Sequence, residues 1–149
     1  DVAIFRPFNV FGPGMPKNDY RVFPRFFSSI KKNQPITIFK KGKQTRTFCY
    51  VVDAITAMFF VILKGDKFVY NIGNEKPEIN MSNLHKNIVK SINKKVKYTY
   101  INYPKNYPQV EPLRRCPNIS RVKKELQFKN KVSLVEAIKR FYRWSQIYY

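Results

Sequence analysis

The 149-residue sequence is poor in the side chains from which most reactive sites are built: it holds two cysteines, one histidine and nine acids. Cys49 and Cys116 are too few and too far apart for a disulfide framework or a metal knuckle, which needs closely spaced ligands. A reducing, cytoplasmic setting fits them best. The single histidine, His85, falls inside the helical pattern Leu84-His85-Lys86-Asn87-Ile88 with no acid or nucleophile beside it. That placement speaks against a hydrolase triad or a histidine-based metal site and for a surface helix position. The acids form no evident catalytic pair along the chain. No apolar run approaches the roughly 18 residues that span a bilayer, and no basic region leads into an apolar signal core.

Basic tracts are missing as well, although the formal charge is +20. Lys and Arg are spread along the chain as pairs such as Lys31-Lys32, Lys40-Lys41, Lys94-Lys95, Arg114-Arg115 and Lys123-Lys124, never as a run of five. A field of this size attracts polyanions, but even spacing is the pattern of solvated faces. What the chain has in quantity is apolar surface: 44% of residues are hydrophobic and 16% aromatic, too many for a disordered segment. A chain of this length buries roughly 68–70% of its unfolded surface in one compact unit. The sequence opens on Asp1 and an apolar run, Val2-Ala3-Ile4-Phe5, that needs a partner strand. A piece of a longer protein is the expectation.

Strand and helix patterns alternate from there. Val2–Phe5 runs into a loop around Gly12-Pro13-Gly14. Asp19 is placed to cap a helix carrying Val22, Phe26 and Ile30, with Pro24 near its first turn. Ile36–Phe39 and Thr47–Val51 are expected strands on either side of a turn at Lys41-Gly42-Lys43. Asp53 is placed to cap the next helix, with Ile55, Met58, Phe59, Ile62 and Leu63 on its apolar face. Phe68–Ile72 is a strand closed by Gly73-Asn74, and Ser82–Asn93 a helix with Leu84, Ile88 and Ile92 on one face. Lys97–Ile101 is a short strand before a loop with Pro104, Pro108 and Pro112. Asn118 caps a short helix containing Val122 and Leu126. Ser133-Leu134-Val135-Glu136 matches a capping box ahead of a last helix that buries Leu134, Ile138 and Phe141. The class is α/β, or a mixed appendage to an α/β domain.

Three stretches place polar or cationic side chains in loops beside strands: Arg6-Pro7-Phe8-Asn9-Val10-Phe11-Gly12-Pro13, then Gly42-Lys43-Gln44-Thr45-Arg46-Thr47-Phe48-Cys49-Tyr50-Val51-Val52-Asp53, then Pro112-Leu113-Arg114-Arg115-Cys116-Pro117-Asn118-Ile119-Ser120. With the turn Asn71-Ile72-Gly73-Asn74, their order resembles the second half of the extended short-chain dehydrogenase/reductases, in the NAD-dependent epimerase/dehydratase branch. The similarity covers nearly the whole chain. Two positions depart from the family pattern: Lys41 stands where an acid is usual, and Asn118 replaces an Asp, an exchange that preserves capping ability.

The resemblance implies the end of a Rossmann-type doubly wound domain plus a small mixed α/β substrate-binding domain, with residues 1–12 and about 47–72 in or beside the Rossmann sheet. It implies a nucleoside-diphosphate sugar as partner and NAD (or NADP) as cofactor, bound mainly by an N-terminal part absent from this sequence. The glycine-rich dinucleotide turn does not occur, and neither Tyr20 nor Tyr103 has the Lys four residues on that the family's Tyr-x-x-x-Lys pair requires. Substrate recognition without catalytic residues follows, so these 149 residues alone are expected to be inactive. The intact parent would be an enzyme and a homodimer.

By the same resemblance Arg46 and Arg115, with Arg114 as the alternative to Arg115, hold the diphosphate, a task suited to the planar guanidinium fork. Asn9 contacts phosphate or sugar, or forms an Asx-type turn. Pro7 and Phe8 border the nicotinamide, or simply end a strand. Val22, Thr37 and Phe39 frame the base, although all three also satisfy ordinary core patterns. The transient oxidation of a sugar that this family performs leaves 4-epimerase, 4,6-dehydratase and decarboxylase chemistry open. A basic nucleic-acid-binding domain and a non-catalytic sugar-nucleotide-binding relative are the alternatives.

Overall fold

The computed structural model describes residues 2–66, 68–105 and 111–149. Asp1, Lys67 and residues 106–110, and with them Pro108 of the expected proline loop, lie outside the described residues. In chain order the elements are β1 (Ile4–Pro7), β2 (Val10–Phe11), α1 (Val22–Lys31), β3 (Ile36–Phe39), β4 (Thr45–Arg46), β5 (Cys49–Tyr50) and α2 (Val51–Lys64). They continue with β6 (Val69–Ile72), β7 (Ile79–Asn80), α3 (Met81–Ile92), β8 (Tyr98–Ile101), β9 (Arg114–Arg115), α4 (Ser120–Glu125) and α5 (Leu134–Tyr148). Three parallel pairs, β1–β6, β2–β5 and β3–β8, accompany a three-stranded ribbon ordered β7–β4–β9. Parallel pairing joined by helices is the mark of an α/β chain. The expected class holds.

The buried side chains form two cores. In the first, Phe11, Phe23, Phe27, Phe48 and Phe141 stack and meet edge to face with Leu84, Ile88 and Ile138, joining β2, α1, α3 and α5. Phe11 and Phe23 stack with ring centroids 3.6 Å apart. The second packs Ala54, Ala57 and Val61 of α2 on Tyr70 and Ile72 of β6 and on Ile119, Val122 and Leu126 around α4.

This packing corrects the expected face of α2. The helix turns its small side chains to the core, because Ala54 and Ala57 allow close approach, and Ile55, Phe59, Ile62 and Leu63 are left exposed, with only Met58 half-buried. Val2, Ile4 and Phe5 are also exposed, and among the described residues β1 pairs along one edge only, with β6.

The expected caps are realised unevenly. Arg21, not Asp19, occupies the position before α1; the Asp19 carboxylate accepts the Arg21 N–H and guanidinium, and the latter bond holds its pKa below the usual range. Asp53 lies inside the first turn of α2, whose preceding residue is Tyr50. It is buried and accepts the backbone N–H groups of Lys131 and Val132, at 3.1 and 3.0 Å, anchoring the approach to α5. The expected strand Thr47–Val51 shortens to β5, Cys49–Tyr50, since Val51 already belongs to α2, and a separate two-residue strand, β4, precedes it. Strand β1 begins at Ile4 rather than Val2. Ser133 does cap α5 by accepting from the Glu136 N–H, but Glu136 closes on Arg140 instead of completing the box. Asn118 accepts from the Ser120 N–H one residue ahead of the formal cap. His85 bonds the Val96 carbonyl and packs on Tyr98.

Cys49 and Cys116 are unbridged. Cys49 is fully buried, and burial, reinforced by the Asp53 carboxylate, pushes its thiol pKa up to about 12. Since the thiolate is the nucleophile, iodoacetamide at pH 8 is expected to add once to the native chain, at Cys116, and twice only after unfolding. Intact-mass analysis showing prompt double addition to native protein would contradict this packing.

Candidate functional site

A cleft of about 180 Å³ opens at the start of α1, bordered by the ends of β2, β3 and β4. Phe11, Phe23, Phe26, Phe48 and Met81 of the first core form its apolar lining. Its polar lining is cationic: Arg21, Arg25, Arg46 and Arg115 face a single carboxylate among the described lining residues, that of Glu111.

Strand register explains which arginines enter. Thr45 pairs with Arg114 and Arg46 with Arg115 in the parallel β4–β9 ladder. Side chains alternate along a strand, so Arg46 and Arg115 share the cleft face while Thr45 and Arg114 share the other. There Glu78 accepts both the Thr45 hydroxyl, at 2.6 Å, and the Arg114 guanidinium, at 2.8 Å. These two bonds, Thr45 first, lower the Glu78 pKa. Arg114 is thus occupied away from the cleft, and Arg115 is an exposed member of it.

Arg46 is almost completely buried. Its Nη1 donates to the Thr45 carbonyl at 2.7 Å and lies 3.4 Å from that of Leu113, while Nη2 donates to Glu111. Asn9 has a left-handed backbone, φ 46°, which Asn tolerates better than most residues. Its amide donates to the carbonyls of Thr47 and Arg115, at 2.8 and 3.2 Å, and its own carbonyl accepts from Cys49. Asn9 therefore ties β4, β5 and β9 together at the end of the cleft.

The other expected residues are placed less uniformly. Val22 and Phe39 line the cleft, whereas Thr37 is not among its lining residues and offers its carbonyl to Arg25. Pro7 and Phe8 stand at the carboxyl end of β1, outside the cleft lining, where the Phe8 N–H donates to Ile72 and the side chain abuts Gly73. The carboxyl ends of parallel strands are where α/β sheets receive ligands.

Arg25, Glu111, Arg21, Gln44 and Tyr103 had no role assigned from sequence. The Arg25 guanidinium lies 3.8 Å from the centroid of the Phe39 ring, which also packs on Tyr103. Burial raises the Tyr103 pKa, with Glu111 adding to the shift and Arg46 and Arg25 opposing it. A signal for Arg25 was available in its position three residues after Val22, one helical turn on. Glu111 carries none, since its partner lies 65 residues earlier. Among the described residues no group of His, Cys, Asp or Glu could hold a metal ion, and no helix is long and apolar enough to cross a membrane.

Fold and cleft together define the class, an α/β chain with small parallel sheets and a cationic, aromatic-floored cleft beside its strand ends. Comparison with known proteins gives the family. Residues 1–73 match the model of the NAD dependent epimerase/dehydratase family. Over 138 residues the chain is 33% identical to UDP-glucuronic acid decarboxylase 3 of Arabidopsis thaliana, covering 93% of this chain and 39% of that protein. Over 147 residues it is 31% identical to the UDP-glucuronate 4-epimerase of Thermodesulfobacterium geofontis, covering 98% and 43%. Among solved structures, the UDP-glucuronic acid 4-epimerase of Bacillus cereus in complex with UDP-glucuronic acid and NAD superposes with a TM-score of 0.85 at 26% identity, covering 99% of this chain and 46% of that one. The chain belongs to the NAD-dependent epimerase/dehydratase family. It spans less than half the length of these relatives.

Proposed function

We propose that this chain is the sugar-nucleotide-binding portion of an NAD-dependent enzyme that oxidises, rearranges and re-reduces a nucleoside-diphosphate sugar, as a decarboxylase, 4-epimerase or dehydratase. The observation that carries this reading is the β4–β9 register, which sets Arg46 and Arg115 side by side in one cleft. Paired guanidinium groups suit the successive phosphates of a diphosphate. The aromatic floor and the Arg25–Phe39 stack offer flat surfaces to a base. Asn9, with its amide engaged by two carbonyls, acts by holding the strands that present the arginines. Val22 and Phe39 frame the base, Thr37 acting only through its carbonyl, and Arg114 keeps the ribbon in register.

NAD, when bound, supplies the hydride acceptor and donor. The residues present fit only the border of such a site: Pro7 and Phe8 stand at the carboxyl end of β1, but Gly73 packs against Phe8, and no glycine-rich phosphate turn exists in the sequence. Binding of the dinucleotide therefore falls to another part of a longer parent, of cytoplasmic location. The exposed apolar row on α2 and the open edge of β1 are the surface that such a part, with further parallel strands, would cover, since parallel sheets are normally buried on both faces. A homodimer of that parent is part of the same proposal.

Titration calorimetry tests the reading on the chain itself. UDP-glucuronate is expected to bind saturably, with UDP competing and single-stranded DNA of matched charge failing to compete. Absence of saturable binding, or displacement by DNA alone, would reject it in favour of a polyanion-binding role for the +20 charge.

A further inference from the structure

The cationic cleft contains its own anion. Glu111 is the one carboxylate among its described lining residues, and it pairs with Nη2 of Arg46, the guanidinium whose side chain is only 7% exposed. The two carbonyls near Nη1 supply hydrogen-bond acceptors but no charge. A buried guanidinium without a counter-charge is strongly unfavourable. Glu111 is what neutralises it in the free chain. Tyr103 feels Glu111 in opposition to Arg46 and Arg25, so the carboxylate and two of the cleft's guanidinium groups bear on one ring.

An incoming diphosphate must then do one of two things: share Arg46 with a like charge at close range, or displace it. Like charges in a partly desolvated cleft repel strongly. Glu111 is half-buried, its side chain 22% exposed against 7% for Arg46, so it is the partner with less to lose on parting. Exchange is the cheaper path.

We propose that Glu111 is a resident counter-ion that sets the affinity of the anion site, occupying Arg46 until a diphosphate replaces it. This rests on the reading that Arg46 receives the diphosphate. The residue thereby tunes recognition, keeping the free site neutral and stable while weakening every anion by the work of displacing the carboxylate. A single monovalent anion replaces Glu111 without gain, whereas a diphosphate, with more charge and a reach to Arg115 as well, replaces it with profit; the device selects for polyvalent phosphate.

Inorganic pyrophosphate is the probe, because it has no hydroxyl or base through which Glu111 could act as a direct ligand. Calorimetry on the chain is expected to show Glu111→Gln binding pyrophosphate at least tenfold more tightly than the unmodified protein, with Glu111→Asp, which keeps the charge, close to unmodified affinity. The variant is also expected to melt earlier than the unmodified chain without anion and to gain more in Tm from saturating pyrophosphate. Glu111→Ala should repeat both effects and guards against a Gln-specific contact. Equal or weaker pyrophosphate binding by Glu111→Gln and Glu111→Ala, with Arg46→Ala still abolishing it, would overturn the counter-ion role and leave the diphosphate site standing. Pyrophosphate binding that survives Arg46→Ala unchanged would overturn both.

Discussion

Replacing Arg46 with alanine is expected to weaken nucleotide-sugar binding by about 2–5 kcal/mol, the range for truncating one partner of a buried, hydrogen-bonded charge pair. Two losses combine. The fork that would grip phosphate disappears, and the Glu111 carboxylate remains in the cleft, now repelling the ligand it formerly yielded to. Arg46→Lys should fall between, since an ammonium keeps the charge but is a point donor without the planar fork. Circular dichroism must accompany the calorimetry, because Arg46 also bonds the Thr45 and Leu113 carbonyls next to the β4–β9 ladder. Unchanged affinity in a folded Arg46→Ala chain would reject the site assignment.

A second large effect is expected at Phe141. Its side chain is fully buried in the first core, with ring centroids 5.1 Å from Phe27, 5.6 Å from Trp144, 5.9 Å from Phe23 and 6.0 Å from Phe11. Phe141→Ala removes a ring that several others contact edge to face, and rigid neighbours cannot collapse into the space. A loss of about 3–5 kcal/mol follows, a large share of the 5–15 kcal/mol that holds a domain together. Urea unfolding should show a lower midpoint at an unchanged slope, and the melting point should fall by roughly 10 °C. A loss below about 1 kcal/mol would show that α5 is not packed against α1 as described. Because Phe11 and Phe23 also line the cleft, the same substitution is expected to loosen ligand binding from a distance.

Legibility in the sequence followed the range of the interactions involved. Strand β3, helix α3 and the Ser133 cap of α5 are decided by neighbours a few residues away, and periodicity with capping chemistry located them. Arg46 and Arg115 stood out because the motifs that contain them are distinctive. Which of Arg114 and Arg115 enters the cleft depends on the register of a two-residue ladder, a property of the pairing and not of either strand alone. Asp53 has the appearance of a cap but serves backbone groups 78 and 79 residues away. The apolar stripe on α2 was visible; its direction was not. Large side chains announce a buried face only when the opposite face is polar, and here the opposite face, Ala54, Ala57 and Val61, is apolar too.

That stripe bears on how the chain behaves as a colloid. Val52, Ile55, Phe59, Ile62 and Leu63 form an adhesive strip on a particle carrying a formal charge of +20. Copies are held apart by long-range repulsion while the strip draws them together only at contact. Added salt shortens the repulsion to about 8 Å at physiological ionic strength and about 3 Å at 1 M, and leaves the attraction of apolar surfaces intact. Dispersion of the isolated chain is therefore a property of the buffer as much as of the fold, set by the balance between one helix face and the lysines spread over the rest of the surface.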